Sequence, residues 1–243
     1  MSSSTLTAEI AAEAARLVLD SGLEYGAARQ KAARALARRS GVARAQWPSN
    51  EQIEDEVRAQ IEIFHADTQP GELAVLRGIA LQWMARLMPL RPHLGGAVWR
   101  GTATRHSAIH IDLYCDDPKS AEIELLNQGL RFEVHTREDA GQDMDILTVY
   151  APCPALGEAV PVHLAIRDHD ALRGALKPDA TGQTWRGDIQ ALERRLQNAG
   201  AAREAGTAPK PGAPPSPTAL SRDHEASAAP RDRPDLPRYR RPP

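Results

Sequence analysis

The stretch GGAVWRGTATRHSAIHIDLYCDD, Gly95 to Asp117, sets His110, Asp112 and Tyr114 at alternate positions behind a Gly101–Thr102 pair. Alternate residues of a strand share a face. An imidazole and a carboxylate would therefore stand side by side, with Ile109, Ile111 and Leu113 turned the other way. Donors on one face can hold divalent cations, and paired cations bridge a triphosphate and an attacking hydroxyl in nucleotidyl transfer. A glycine turn lets main-chain amides approach phosphate. The competing reading is the wet side of a half-exposed strand. On the residues alone both stay open.

Such a strand has to be carried by the rest of the chain. The first ninety residues show helical periodicity four times. Ile10, Ala14, Leu17 and Val18 make one stripe, stopped by Gly22, and Ala28, Ala32, Ala35 and Leu36 make a second with small residues. Ser49 and Gln52 have capping-box spacing ahead of Ile53, Val57, Ile61 and Phe64. Pro70 opens a fourth helix with Leu73, Leu76, Ala80, Met84 and Leu87 on its buried side. From Gly95 the period changes from 3.6 to 2, and AVWRG, AIHIDLYC, LRFEVHT, DILTVYA and VPVHLAI read as five strands. One helix, with Pro118 in its first turn and Gly129 at its end, interrupts them, and a last one spans about 187–198.

After Ala208 the chain holds ten of its 19 prolines and almost nothing to bury. Residues 203–243 are expected to stay disordered. The expected organisation is a helical region over 1–92, a core over 93–202 and the Pro/Arg-rich tail over 203–243.

The Gly101–Thr102 turn, Ser107 and the strand behind them resemble the nucleotidyltransferase fold over roughly residues 95–170. That family has a glycine pair after a strand, then alternate carboxylates for cations on the next strand and a third acid from a neighbour. The resemblance implies an α+β fold: a helical N-terminal layer, then a nucleotidyltransferase-like mixed sheet with flanking helices. It implies nucleotide binding at Gly101, Thr102 and Ser107, a metal at Asp112 and His110, catalytic roles for Asp112 and Glu133 (with Asp145 as another source of the third acid), and Mg or Mn with a nucleoside triphosphate. The chain departs from the pattern at Ala108 and His110, where acids are expected. It thus reads as a diverged member, a transferase if active. EAARLVLDSGLEYGAARQKAA, FHADTQPGELAVLR and LRGALK are also similar to an uncharacterised proteobacterial family, some members of which are described as UDP-N-acetylmuramate–alanine ligases. No G-x-x-x-x-G-K-[ST] loop accompanies that description here.

Two further groups could do chemistry. His110, His135 and His163 fall in expected strands without the short fixed spacing of a zinc site. Between Glu24 and Glu51 there is no acid, and Lys31, Arg34 and Arg38 lie within about 60° of one another on a helix. That stripe suits phosphate contacts, so a non-enzymatic nucleic-acid-binding or adaptor module is the alternative function. A formal net charge of -2 argues against a global polyanion partner. The two cysteines, Cys115 and Cys153, make no disulfide framework. With neither a signal-like N-terminus nor a long apolar run, a cytoplasmic protein away from membranes is expected.

Overall fold

The computed structural model describes residues 3–40, 47–139, 142–179 and 182–207. Five strands form one sheet: β1 Pro92–Gly95, β2 Ile109–Cys115, β3 Glu133–Asp139, β4 Gln142–Cys153 and β5 Glu158–Asp168. Their order is β1-β2-β5-β4-β3. β2 and β5 run parallel and the other neighbours antiparallel. This is the mixed α+β architecture expected.

The register sorts the side chains into two faces. Ile109, Ile111 and Leu113 of β2, Val162, Leu164 and Ile166 of β5, and Leu147 and Val149 of β4 are buried together on one. Leu76, Ala80 and Met84 of α4 (Gln69–Arg86) join the same core, as does Leu192 of α8 (Ile189–Thr207). Each fully buried Leu or Ile here is worth about 1.5–3 kcal/mol. The opposite face of the sheet carries His110, Asp112, His163 and Arg167.

α1 (Ser3–Ser21), α2 (Tyr25–Ser40) and α3 (Asn50–Phe64) have a core of their own around Ile10, Ala14, Val18, Ala28, Ile53 and Val57. The fourth helix, expected in the same layer, packs on the sheet instead, because its Leu76–Ala80–Met84 stripe meets the apolar strand face. α3 begins with the expected capping box: Gln52 N–H donates to Ser49 Oγ at 3.2 Å and Ser49 N–H to Gln52 Oε1 at 2.8 Å. Buried polar ties join α2 and α3 to the segment between β1 and β2. Tyr25 and Thr102 share a 2.6 Å hydroxyl hydrogen bond, and Arg100 Nε donates to both oxygens of Glu54.

One expected strand is corrected. AVWRG lies in α5 (Gly96–Arg100), and the strand is the four residues before it. The backbone there turns on itself, Gly101 N–H returning to Ala97 O four residues back, instead of pairing with a neighbouring strand. Gly101 closes the turn at φ +86, where its amide and that of Thr102 both donate to Ala97 O. α6 (Lys119–Asn127) and α7 (Leu172–Ala175) complete the helices named here. The expected tail falls largely on 208–243, outside the described residues, and α8 takes in 203–207. Among the described residues no helix is long and apolar enough to cross a membrane.

Candidate functional site

A cavity of about 300 Å³ opens on the polar face of the sheet. Its floor is built by register. Gly95, His110, His163, Thr148 and Glu133 form one row across the five strands, and His93, Asp112, Ala165, Ile146 and His135 form the next. Its roof comes from elsewhere in the chain: the Gly22–Glu24 link between α1 and α2 with the first residues of α2, and Trp185 with Arg186 ahead of α8. Gly22 (φ +63) is the tightest point of that link, since a Cβ there would lie 1.9 Å from the carbonyl oxygen of His106.

The two histidines at the centre are neighbours because β2 and β5 pair. Their ring centroids are 5.1 Å apart. His110 Nδ1 faces Glu24 Oε1 at 3.2 Å, and His163 Nδ1 shares a hydrogen bond of 2.9 Å with the Thr148 hydroxyl. Arg137 of β3 reaches the other Glu24 oxygen at 2.6 Å. Burial holds both imidazoles below the ordinary histidine value. For His163 the neighbouring His110 adds to burial and the pKa falls to about 4. For His110, Glu24 pulls upward and Arg137 downward, and burial prevails. Burial pushes Glu24 up, but His110 and Arg137 outweigh it and hold the carboxyl below its usual range. At neutral pH the centre is two neutral rings beside a Glu–Arg ion pair.

Asp112 occupies the second row, 8 % exposed and bound on both oxygens. Arg167 Nε lies 3.0 Å from Oδ1, and Arg186 Nε donates to Oδ2. One carboxylate is therefore matched to two guanidiniums. With Arg137 and Arg100, four arginines line a cavity whose lining acids are Glu24 and Asp112.

The expected site residues divide accordingly. Ser107, His110 and Asp112 line the cavity. Ser107 Oγ is used internally, accepting from Thr104 N–H at 3.0 Å. Gly101 and Thr102 stand outside the lining: the Gly101 carbonyl accepts from Gln69 Nε2, and the Thr102 hydroxyl meets Tyr25. The glycines bordering the cavity floor are Gly95 and Gly96. Gly96 has φ +64, and a Cβ on it would press on His110 Cδ2 at 3.2 Å. Glu133 is exposed on edge strand β3, three strand spacings or about 14 Å from His110. Asp145 accepts from Thr136 Oγ1, in a row that does not include His110. His135 stands beside Glu133 at 3.5 Å and not with His110 and His163. On α2, Lys31 and Arg34 are exposed, and the Arg38 side chain lies outside those described.

These donors do not fit a divalent cation. Among the described residues no group of three or more His, Cys, Asp or Glu side chains could hold a metal ion. Of the expected Asp112, His110 and Glu133, the last lies three strands away, and both Asp112 oxygens are engaged by guanidiniums. The residues that the sequence left unassigned, Glu24, Arg137, Arg167 and Arg186, carry most of the charge. Gly95–Gly96 had a readable signal, a glycine pair directly before the turn, whereas Glu24 and Arg186 had none because loops deliver them.

No family model matches the chain, and no curated protein matches it. Part of it overlaps two solved structures. The Cid1 poly(U) polymerase with MgGTP bound shares 14 % identity at a TM-score of 0.31, over 47 % of this chain and 38 % of that one. A cytoplasmic RNA terminal U-transferase shares 16 % at 0.31, over 51 % and 39 %. The chain spans about two fifths of each of those proteins, and the scores are too low to assign it their fold or activity.

Proposed function

We propose that this protein is a diverged, nucleotidyltransferase-like nucleotide-binding protein that has lost metal-dependent transfer. The observation carrying the reading is the make-up of the cavity floor. Where the resemblance calls for alternate carboxylates the chain has Ala108 and His110, His163 stands opposite His110, and the surrounding charge is arginine. Guanidinium groups take phosphate oxygens through paired N–H donors, a geometry an ammonium does not reproduce. A cavity of about 300 Å³ is at the lower end of the range for small-molecule sites. Two-metal catalysis needs anionic ligands to hold its cations in line. With Ala108 and His110 where the resemblance calls for acids, Asp112 by itself is too few ligands for paired cations, and a bound nucleotide keeps its phosphates.

Titration calorimetry with ATP, GTP, CTP and UTP, followed by thermal melts, tests the reading. Binding to the native state raises Tm by mass action. The expected result is a saturable heat with at least one nucleotide, weakened by Arg137→Ala, and no nucleotide added to an RNA primer with Mg or Mn. Absence of both heat and thermal shift at millimolar nucleotide overturns the binding, and primer extension overturns the loss of transfer.

A second reading, nucleic-acid binding through α2, has its own support in the exposure of Lys31 and Arg34 on a helix without an acid from Tyr25 onward.

A further inference from the structure

Resting on the nucleotide-binding reading, we infer that Asp112 is an internal competitor of the ligand: its carboxylate occupies Arg167 and Arg186 in the free protein, and the cavity takes phosphate groups free of divalent cation in its place. This reverses the role that the strand motif suggests for Asp112. A metal ligand would draw Mg and nucleotide in together, whereas a competing anion opposes the nucleotide and gains nothing from Mg.

The geometry supports the reversal. Asp112 lies on the cavity floor, and its oxygens are divided between the two guanidiniums, one to Arg167 at 3.0 Å and one to Arg186. The two arginines come from opposite sides, one from β5 and the other from the segment before α8. Their side chains remain 21 % and 28 % exposed, against 11 % for Asp112. The cations therefore reach the cavity more openly than the anion that pairs them. Carboxylate and phosphate both present anionic oxygens to guanidinium N–H groups, so a phosphate group competes for the same two cations. A terminal phosphate carries more charge than the single one of Asp112, which favours the exchange.

The same charges discriminate against a metal complex. Mg bound to the phosphates uses oxygens that the arginines would take and brings two positive charges among Arg137, Arg167 and Arg186, where like charges repel. Glu24, the other lining carboxylate, is held by Arg137 and His110, so the displaced Asp112 alone faces three guanidiniums and the cation. The ligand class is thus an uncomplexed nucleoside polyphosphate, recognised first through its phosphates.

The test is calorimetry on the full chain with ATP and with inorganic tripolyphosphate, each in EDTA and in excess magnesium, for wild type and Asp112→Asn. Asp112→Asn is expected to bind both probes about tenfold more tightly, since a negative charge a few ångströms from the phosphates is removed. Excess magnesium is expected to weaken binding to the wild type. This arm needs no variant and decides the matter should Asp112→Asn fail to fold. Equal or weaker binding by a folded Asp112→Asn, or binding that magnesium leaves unchanged or strengthens, overturns the inference while leaving the nucleotide site in place. No binding of either probe by either protein under any condition overturns both.

Discussion

Two clusters of guanidinium and carboxylate groups lie within the same fold and are put together in opposite ways. In one, Arg100 sits between two carboxylates, Glu54 at 2.9 Å and Asp179 at 2.8 Å, with all three side chains 3–5 % exposed. Arg58 adds a second cation on Glu54 at 2.5 Å, and the Trp185 ring covers the Arg100 guanidinium at 4.3 Å. In the other, one carboxylate, Asp112, sits between two guanidiniums that remain partly exposed. The first is balanced in charge once the half-exposed Arg58 is included, and its Arg100, Glu54 and Asp179 side chains are nearly shut away from water. Its role is mechanical, joining α3 to α5 and to the segment before Trp185. The second has a cation in excess and opens on a cavity. Charge balance and access, more than the residue types, separate a structural tie from a binding site.

Breaking the balanced cluster is expected to have the largest effect. Glu54→Ala leaves Arg100 with Asp179 alone and removes the charged hydrogen bonds from Arg100 and Arg58, which at about 1.5–3 kcal/mol each should cost about 3–5 kcal/mol in urea unfolding. A loss below about 1 kcal/mol would mean that water reaches the cluster, and the contrast with the cavity would weaken.

Removing a cation from the other cluster should act on binding more than on stability. Arg186→Ala deletes a charged hydrogen-bonding partner, typically worth about 1.5–3 kcal/mol, so nucleotide affinity should fall tenfold or more by calorimetry. The melting temperature should move far less than in Glu54→Ala. The reverse ordering would make Arg186 a structural residue.

Gly96→Ala probes the border of the cavity floor. A left-handed backbone costs a residue with a Cβ about 1–2 kcal/mol, and here the Cβ also presses on His110. Reduced stability together with weaker nucleotide binding is expected. Gly26→Ala, whose added Cβ would meet no heavy atom within 4 Å, serves as a nearby control.

The neutral histidines bring a pH dependence of their own. The folded pKa of His163, about 4, lies below the ordinary 6.5, so the unfolded chain takes up its proton first. That contribution is present above pH 6.5 and is lost as the pH falls toward 4. Melts at about pH 7 and pH 5 should show a larger drop for wild type than for His163→Gln, and equal drops would indicate a protonated ring in the fold.

The smallest effect concerns α2. Charge reversal at Lys31 and Arg34 should flatten the salt dependence of any duplex DNA binding, by about 0.9 in slope for each lost phosphate contact. An unchanged slope in a filter-binding titration would leave α2 as an ordinary solvated helix.

Local pattern was sufficient for a good part of this molecule. The Ile10–Ala14–Leu17–Val18 stripe, the Ser49–Gln52 box and the Leu76–Ala80–Met84 face are all buried or capped as their spacing requires. Period-2 alternation put His110 and Asp112 on one face of β2, and the structure has them in adjacent rows of the cavity floor. These features are set by residues within one or two turns of each other, and backbone geometry alone relates them. AVWRG misled because a short helical turn can bury three consecutive side chains that resemble a strand in composition.

What tertiary structure alone decided is the company those residues keep. His163 lies beside His110 because β5, some fifty residues later, enters the sheet parallel to β2, and nothing in either strand's periodicity specifies its neighbour. Glu24, Arg137 and Arg186 arrive from a helix link, an edge strand and a pre-helical segment, and their charges turn an apparent metal-binding aspartate into one already claimed by arginine. Periodicity reports which side chains share a face. Coulomb energy depends on distance through space, and chain order does not encode that distance until the sheet has closed.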